Sequence, residues 1–375
     1  MGLKKEDVYR KIELLCYGLK ANDVVEELYD KQNPYDLTRT GNVGLQLLVG
    51  KRELVANVPV FNHFTDKSPF SLQRCDNRLY AINENTGINI EIRALDAPAW
   101  YKKKVAEEHY AGQYLLREGV NTLICSISNS CGYIAKNAQC RFCAIGKNTL
   151  NNTNESDQER KCNIIKALSI AVKDAQKIEK SINLTGGNTF SDDRGASRYL
   201  DFVKSIRSET SMPVCIEMSP PKSNTSLIAL KEAGVDGVMM NIEVWDEALR
   251  QMYMPGKALI RRSEYIDSWK CAVKLFGKGN VSSVIIIGLE NKESVKGAID
   301  KMIELGVMPS IMPFRPNDGA ILEKFPVADP QLVMELTEYV ADKSLNNRIN
   351  ILDSAGCIGC GACAAEKDMM GLLGG

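Results

Sequence analysis

The chain has 375 residues, 44% of them hydrophobic, and its 47 basic and 47 acidic side chains cancel to zero net charge. That is enough apolar material for one large α/β domain or a barrel with an added segment, and a charge spread without basic block or acidic tail argues against nucleic acid or a membrane surface as partner. The longest apolar runs, such as Val284–Leu289, are too short to span a bilayer, and Met1-Gly2-Leu3-Lys4-Lys5 carries no signal-peptide core, so the expected location is the cytoplasm.

Residues 1–117 read as a small α+β subdomain. Apolar spacing predicts a helix over Glu6–Leu28, ended by Asn33-Pro34. Val43–Val49 and Leu54–Phe61 flank Gly50-Lys51-Arg52 like a hairpin, and Arg78–Ile82 and Ile88–Ile92 are short strands around a turn. From Pro98 a helix is expected to run to about Leu116.

Residues 118–345 repeat strand, loop and helix six times. Strands are predicted at Thr122–Ser128, Ser181–Leu184, Pro213–Met218, Gly237–Ile242, Ser283–Ile287 and Met308–Pro313. Helices follow at Ile164–Lys180, Arg194–Ser208, Thr225–Ala233, Arg262–Phe276, Glu293–Leu305 and Asp329–Lys343. Short apolar strands alternating with amphipathic helices imply a parallel sheet with right-handed crossovers. Six units suit an open, partial TIM-like barrel, whose chemistry belongs in the loops at the C-terminal strand ends. Residues 346–375 form a cysteine-rich tail.

Twelve cysteines are many for a reducing compartment, where clustered thiols favour metal binding or catalysis over disulfides. Only two histidines are present, His63 and His109, which disfavours histidine bases and histidine-rich zinc sites. Cys131, Cys140 and Cys143 lie in one loop directly after the first barrel strand, spaced x8 and x2. Three thiolates on a cubane leave one iron without a protein ligand, open to a small molecule. A structural zinc site would want four ligands, and no fourth Cys or His lies nearby. Packed free cysteines compete too, but a Gly- and Asn-containing loop makes a poor core.

This loop resembles that of the radical S-adenosylmethionine (radical SAM) superfamily, which places three cysteines, more often spaced x3 and x2, after the first barrel strand. Phe142 stands in the family's aromatic slot. The resemblance continues loop by loop. Thr185-Gly186-Gly187-Asn188 is similar to the family's Gly-Gly-Glu motif, which receives the methionine amino group, with Asn188 replacing the acid. Glu217, Asn241 and Glu243 stand where biotin-synthase-like members hold the ribose and methionine. The resemblance gives Arg262 to the methionine carboxylate or to a pair with Glu243. Met254-Pro255-Gly256-Lys257 resembles a Pro-Gly-Lys segment of some members, and Gly288 a glycine that packs on adenine. Pro313-Phe314-Arg315-Pro316 resembles the loop that closes on substrate. Arg315, a planar cation, suits a substrate carboxylate or phosphate, or else pairs with a loop acid.

Cys357, Cys360 and Cys363, spaced x2 and x2 among glycines, match the spacing with which small ferredoxins wrap a cluster. Its fourth position is expected to be open, or filled by Ser354, Asp353 or a distant cysteine such as Cys75. The resemblance thus implies two clusters, the first of them a 4Fe-4S cluster, together with S-adenosylmethionine and an electron donor such as flavodoxin or ferredoxin. It implies hydrogen abstraction from a small-molecule or carrier-bound substrate. Biotin- and lipoyl-synthase-like loops beside a second cluster point to sulfur insertion. Radical rearrangement, fragmentation or C–C bond formation in cofactor maturation is the alternative, and a non-enzymatic iron–sulfur carrier or electron-transfer protein the reading from another class.

Overall fold

In the computed structural model, which describes residues 2–35, 43–128, 130–145, 155–174 and 179–374, the N-terminal amphipathic stretch is cut in two. Gly18 has φ +69°, and a Cβ there would lie 2.4 Å from the Pro59 carbonyl oxygen, so only glycine is tolerated. The expected single helix is therefore α1 (Lys5–Tyr17) and α2 (Asp23–Gln32). Asn22 restarts it, its side chain accepting from the Val25 amide at 3.0 Å.

Strands β1 (Gly44–Val49) and β2 (Leu54–Pro59) form the expected antiparallel hairpin, with Leu47 opposite Ala56. Next come β3 (Phe70–Cys75), β4 (Arg78–Asn83) and β5 (Asn89–Ala94), in a sheet ordered β2-β1-β5-β4-β3. The sequence pattern did not disclose β3, because Phe70, Ser71 and Leu72 are all buried and no alternation shows. Helix α1 buries Val8, Ile12 and Leu15 and packs on β2.

The helix expected from Pro98 to Leu116 does not form. A 3₁₀ turn at Ala99–Lys102 leads into β6 (Lys104–Ala106) and β7 (His109–Tyr110), then a second 3₁₀ turn and β8 (Leu116–Glu118). Trp100 and Tyr101 are both at most 3% exposed. Adjacent residues of a surface helix point about 100° apart, so it could hardly bury both.

Beyond β8 the chain builds one curled sheet ordered β14-β13-β12-β11-β10-β9-β8. Its six parallel strands are β9 (Thr122–Ser128), β10 (Ser181–Gly186), β11 (Val214–Glu217), β12 (Gly237–Met239), β13 (Val281–Ile287) and β14 (Met308–Pro313). Sequential order and parallel pairing are what repeated βα units produce. Only the edge strand β8 runs antiparallel, against β9. A short α3 (Gly132–Ala135) follows β9; the crossovers carry α4 (Asp157–Asp174), α5 (Ser197–Glu209), α6 (Thr225–Glu232), α7 (Glu247–Tyr253) with α8 (Arg262–Phe276), and α9 (Lys292–Glu304), and α10 (Pro330–Asn346) follows the last strand. The end of the predicted first crossover falls in part on residues 175–178, outside the described residues. Helix α7 was not foreseen; Asp246 caps it, accepting from the Leu249 amide at 2.9 Å.

After α10 the tail turns back under the sheet as α11 (Gly356–Cys360) and α12 (Glu366–Gly374). The Gly356 amide donates to Ser181 Oγ at the start of β10, and Ser354 Oγ donates to the Gly279 carbonyl just before β13. The tail therefore reaches the concave side of the half-barrel from its N-terminal strand ends. It is fastened by Lys11, only 1% exposed, whose Nζ meets Asp368 at 2.6 Å and the Gly361 carbonyl at 2.7 Å. Glu366, also buried, accepts from the Ile311 amide of β14, and burial pushes its carboxyl up to about 7. Among the described residues no helix is long and apolar enough to cross a membrane.

A candidate active site between two sets of cysteines

Cys131, Cys140 and Cys143 lie in a loop clamped from three sides. The Gly132 amide donates to the Asn188 carbonyl at 2.8 Å, the Gly256 amide to the Ala138 carbonyl at 2.9 Å, and the Arg141 amide to the Tyr253 carbonyl at 2.7 Å. From the last barrel loop, the Leu322 amide donates to the Arg141 carbonyl at 2.9 Å. The Gly-Gly-Asn and Pro-Gly-Lys segments thus brace the cysteine loop itself. Gly187 shows why no side chain is allowed there: a Cβ would stand 2.2 Å from the Ser130 carbonyl and 2.7 Å from Cys131 Cα.

Burial, with the Glu243 carboxylate next, pushes the Cys140 thiol well above its usual range. Burial also carries Cys143 up to about 11, with Glu243 and Cys131 adding to it. Cys131 and Cys143 both act on Cys140, and Cys131 on Cys143, so the three sit within electrostatic reach of one another. Such thiols stay protonated until a cation compensates their charge. Beneath them Lys257 Nζ meets Glu243 at 2.7 Å, with the two side chains 9% and 15% exposed. Burial alone would lower the lysine's pKa, but the carboxylate outweighs it and the net shift is upward. Glu243 holds a left-handed φ of +66°, a strained setting for a non-glycine residue.

Inside the half-barrel lies a cavity of about 290 Å³. Phe142 and Cys143 of the cysteine loop line it, with Ile124, Met239, Val284 and Met312 from the barrel strands and Gln46, Asn57 and Tyr101 from the N-terminal region. Cys357 and Cys363 of the tail also line it. Of the residues singled out from sequence, Phe142, Glu217, Asn241, Glu243, Pro313 and Arg315 also line it.

Others serve elsewhere. Arg262 does not pair with Glu243: its guanidinium stacks on Trp245 at 4.6 Å and reaches Glu247 at 3.6 Å, because Lys257 already occupies Glu243. Asn241 spends its side-chain oxygen on the Val284 amide at 3.0 Å. Gly186, Gly187, Asn188 and Gly288 do not line the cavity; Gly288 packs against Phe314 and Ala328. Arg315 makes no ion pair among the described residues. Its Nε donates to the Leu15 carbonyl at 3.2 Å and its Nη2 to the Asn57 carbonyl at 3.3 Å, so its positive charge is held at the cavity wall by dipoles.

The tail thiols meet acids. Cys357 Sγ donates to Glu217 Oε1 at 3.1 Å, Cys363 Sγ to Glu118 Oε1 at 3.1 Å, and Cys360 Sγ to the Glu118 carbonyl at 3.4 Å. Burial, with Glu118 next, pushes Cys360 up to about 12. The outside donors expected for this trio are turned elsewhere. Asp353 and Cys75 are exposed, and Ser354 is bonded to Gly279. Glu118 escaped the sequence reading because it lies just past a stretch taken for a helix. Among the described residues no three His, Cys, Asp or Glu side chains are spaced to hold a single metal ion. Each trio nevertheless offers three soft thiolate donors beside the cavity, the donor chemistry of an iron–sulfur cluster, which takes each thiolate at a different corner.

The family model described as Radical SAM superfamily matches residues 129–302. Bacteriochlorophyllide c C-7(1)-hydroxylase of Chlorobaculum limnaeum is 25% identical over 131 residues, covering 34% of this chain. The match spans 33% of that relative's length. Among solved structures, methylornithine synthase (PylB) aligns at 19% identity and a TM-score of 0.47, over 69% of this chain and 71% of that one. A radical SAM methyltransferase from Sphaerobacter thermophilus aligns at 14% identity and 0.46, over 80% and 81%.

Proposed function

We propose that this enzyme, whose residues 129–302 match the radical SAM family model, abstracts hydrogen from a small-molecule or carrier-bound substrate enclosed between two iron–sulfur clusters. The observation that carries the reading is one cavity lined both by Cys143 of the first trio and by Cys357 and Cys363 of the tail. Cys131, Cys140 and Cys143 would hold the first cluster. When bound there, the cluster supplies the electron that splits S-adenosylmethionine into methionine and a 5′-deoxyadenosyl radical.

The chain's own part is positioning and exclusion of water. Phe142 and the apolar strand residues wall the radical off from solvent. Glu217, Asn241 and Glu243 line the cavity and would meet the hydroxyls and methionine group of S-adenosylmethionine, Glu243 from beside Cys140 and Cys143 and Glu217 from beside Cys357. Gly186, Gly187 and Asn188 act through the loop they brace. Arg315 offers its cation to a substrate carboxylate or phosphate. Residues 1–117 supply one wall and the tail, 346–375, the floor. An external flavodoxin- or ferredoxin-type donor would deliver the electron.

Cys357, Cys360 and Cys363 would hold the second cluster. If bound there, that cluster could supply sulfur for insertion into a C–H bond, itself taking up the electron released as the C–S bond forms; in rearrangement, fragmentation or C–C bond formation it would instead anchor substrate or relay electrons. The test is anaerobic reconstitution followed by iron and sulfide counts and assay of 5′-deoxyadenosine. Wild type should hold about eight irons per chain. Cys143→Ala should abolish 5′-deoxyadenosine formation. Removing all three tail cysteines should halve the iron and leave cleavage intact. Zinc in place of iron, or iron without cleavage of S-adenosylmethionine, would overturn the proposal.

A further inference from the structure

We infer that Glu118 is a ligand of the second cluster, its carboxylate taking the iron that Cys357, Cys360 and Cys363 leave open. The inference rests on the two-cluster reading above. Three thiols fill three corners of a cubane, and the fourth faces whatever the enclosing wall presents. The wall here presents Glu118: its Oε1 lies 3.1 Å from Cys363 Sγ and its carbonyl oxygen 3.4 Å from Cys360 Sγ. Glu118 is 8% exposed and lines the same cavity as Cys357 and Cys363. Its Oε1 also accepts from Asn57 Nδ2 at 3.5 Å, which aims the carboxylate at the thiols. Glu217, the other acid on the trio, accepts from Cys357 Sγ at 3.1 Å and also from Asn183 Nδ2 at 2.8 Å.

The surrounding chain is built to bring Glu118 to the thiols. Strand β8 turns at Gly119, with φ +60°, where a Cβ would stand 2.8 Å from Cys360 Sγ, so only glycine lets the tail approach this closely. Gln46 of β1 holds that turn, its Oε1 accepting from the Gly119 amide at 2.8 Å. The Asn57 amide of β2 donates to the Ala362 carbonyl, between Cys360 and Cys363, at 2.8 Å. The N-terminal sheet, the edge strand and the tail thus meet at one carboxylate. Coordination needs no electron and no bond cleavage in the protein, only exchange of a solvent ligand for a carboxylate oxygen.

The experiment uses the full chain carrying Cys131→Ala, Cys140→Ala and Cys143→Ala, so that only the tail cluster loads. This parent should hold about four irons per chain. Glu118→Gln keeps the shape and an acceptor oxygen for the thiols but is a far weaker iron ligand. It should drop the count to about three, with the oxidised protein gaining the electron paramagnetic resonance signal of a three-iron cluster. Glu118→Cys, supplying a thiolate, should restore the four-iron count and remove that signal. If Glu118→Gln holds as much iron as the parent with an unchanged spectrum in both oxidation states, Glu118 is not a ligand and the two-cluster reading survives. If the parent itself holds no iron, both are overturned.

Discussion

Lys257→Met should be among the most damaging single substitutions in the barrel, and the structure says by how much. Lys257 and Glu243 meet at 2.7 Å with side chains only 9% and 15% exposed, so neither has bulk water to fall back on. Removing the cation strands the carboxylate, and breaking a buried pair this way costs about 3–5 kcal/mol. Replacing both partners with apolar side chains of similar volume removes the stranded charge, so adding Glu243→Met should recover most of that loss. The lysine also follows Gly256, whose amide bonds the Ala138 carbonyl in the cysteine loop, so the single variant should lose first-cluster iron in parallel. The assay is urea unfolding of iron-free protein, followed by tryptophan fluorescence and by far-ultraviolet dichroism so that two-state behaviour is checked. A Lys257→Met variant within about 0.5 kcal/mol of wild type would show that the pair is solvated and worth no more than a surface salt bridge, refuting the reasoning.

Two further outcomes follow from named contacts. Gly187→Ala puts a methyl group 2.2 Å from the Ser130 carbonyl and 2.7 Å from Cys131 Cα; overpacking of this kind costs about 1–3 kcal/mol. Because the displaced atoms carry a thiol of the proposed first cluster, iron bound there should fall more steeply than the melting temperature, as read by iron analysis on the variant lacking the tail cysteines. Glu366 predicts a pH dependence. Its carboxyl is raised to about 7 in the fold, so between its ordinary value and 7 the unfolded chain binds fewer protons than the folded one, and stability falls as pH rises through that window. The loss should be on the order of 3 kcal/mol, and Glu366→Gln should flatten that part of the stability profile measured by urea unfolding; an unchanged profile would count against it.

The barrel was legible in the chain because parallel strands buried on both faces write themselves as short apolar runs, and the crossovers between them as amphipathic helices. Thr122–Ser128, Arg262–Phe276 and Met308–Pro313 stand in the structure with the boundaries the pattern implies. The two cysteine trios were legible by spacing alone. Local pattern failed where long-range packing overrode it. The stretch from Trp100 to Glu118 spends its apolar residues on several partners, so helical spacing there was accidental, and Glu118 was hidden with it. Arg262 and Lys257 are both cations near Glu243 in sequence, and only the turn at Met254–Gly256 decides that the lysine points in and the arginine onto Trp245. The sequence by itself determined the succession of the six parallel strands and which thiols travel together, since both are properties of neighbours along the chain. That the tail enters the half-barrel from below, so that both trios face one cavity, depends on Lys11 meeting Asp368 across almost the whole chain, and only tertiary structure brings residues so distant together.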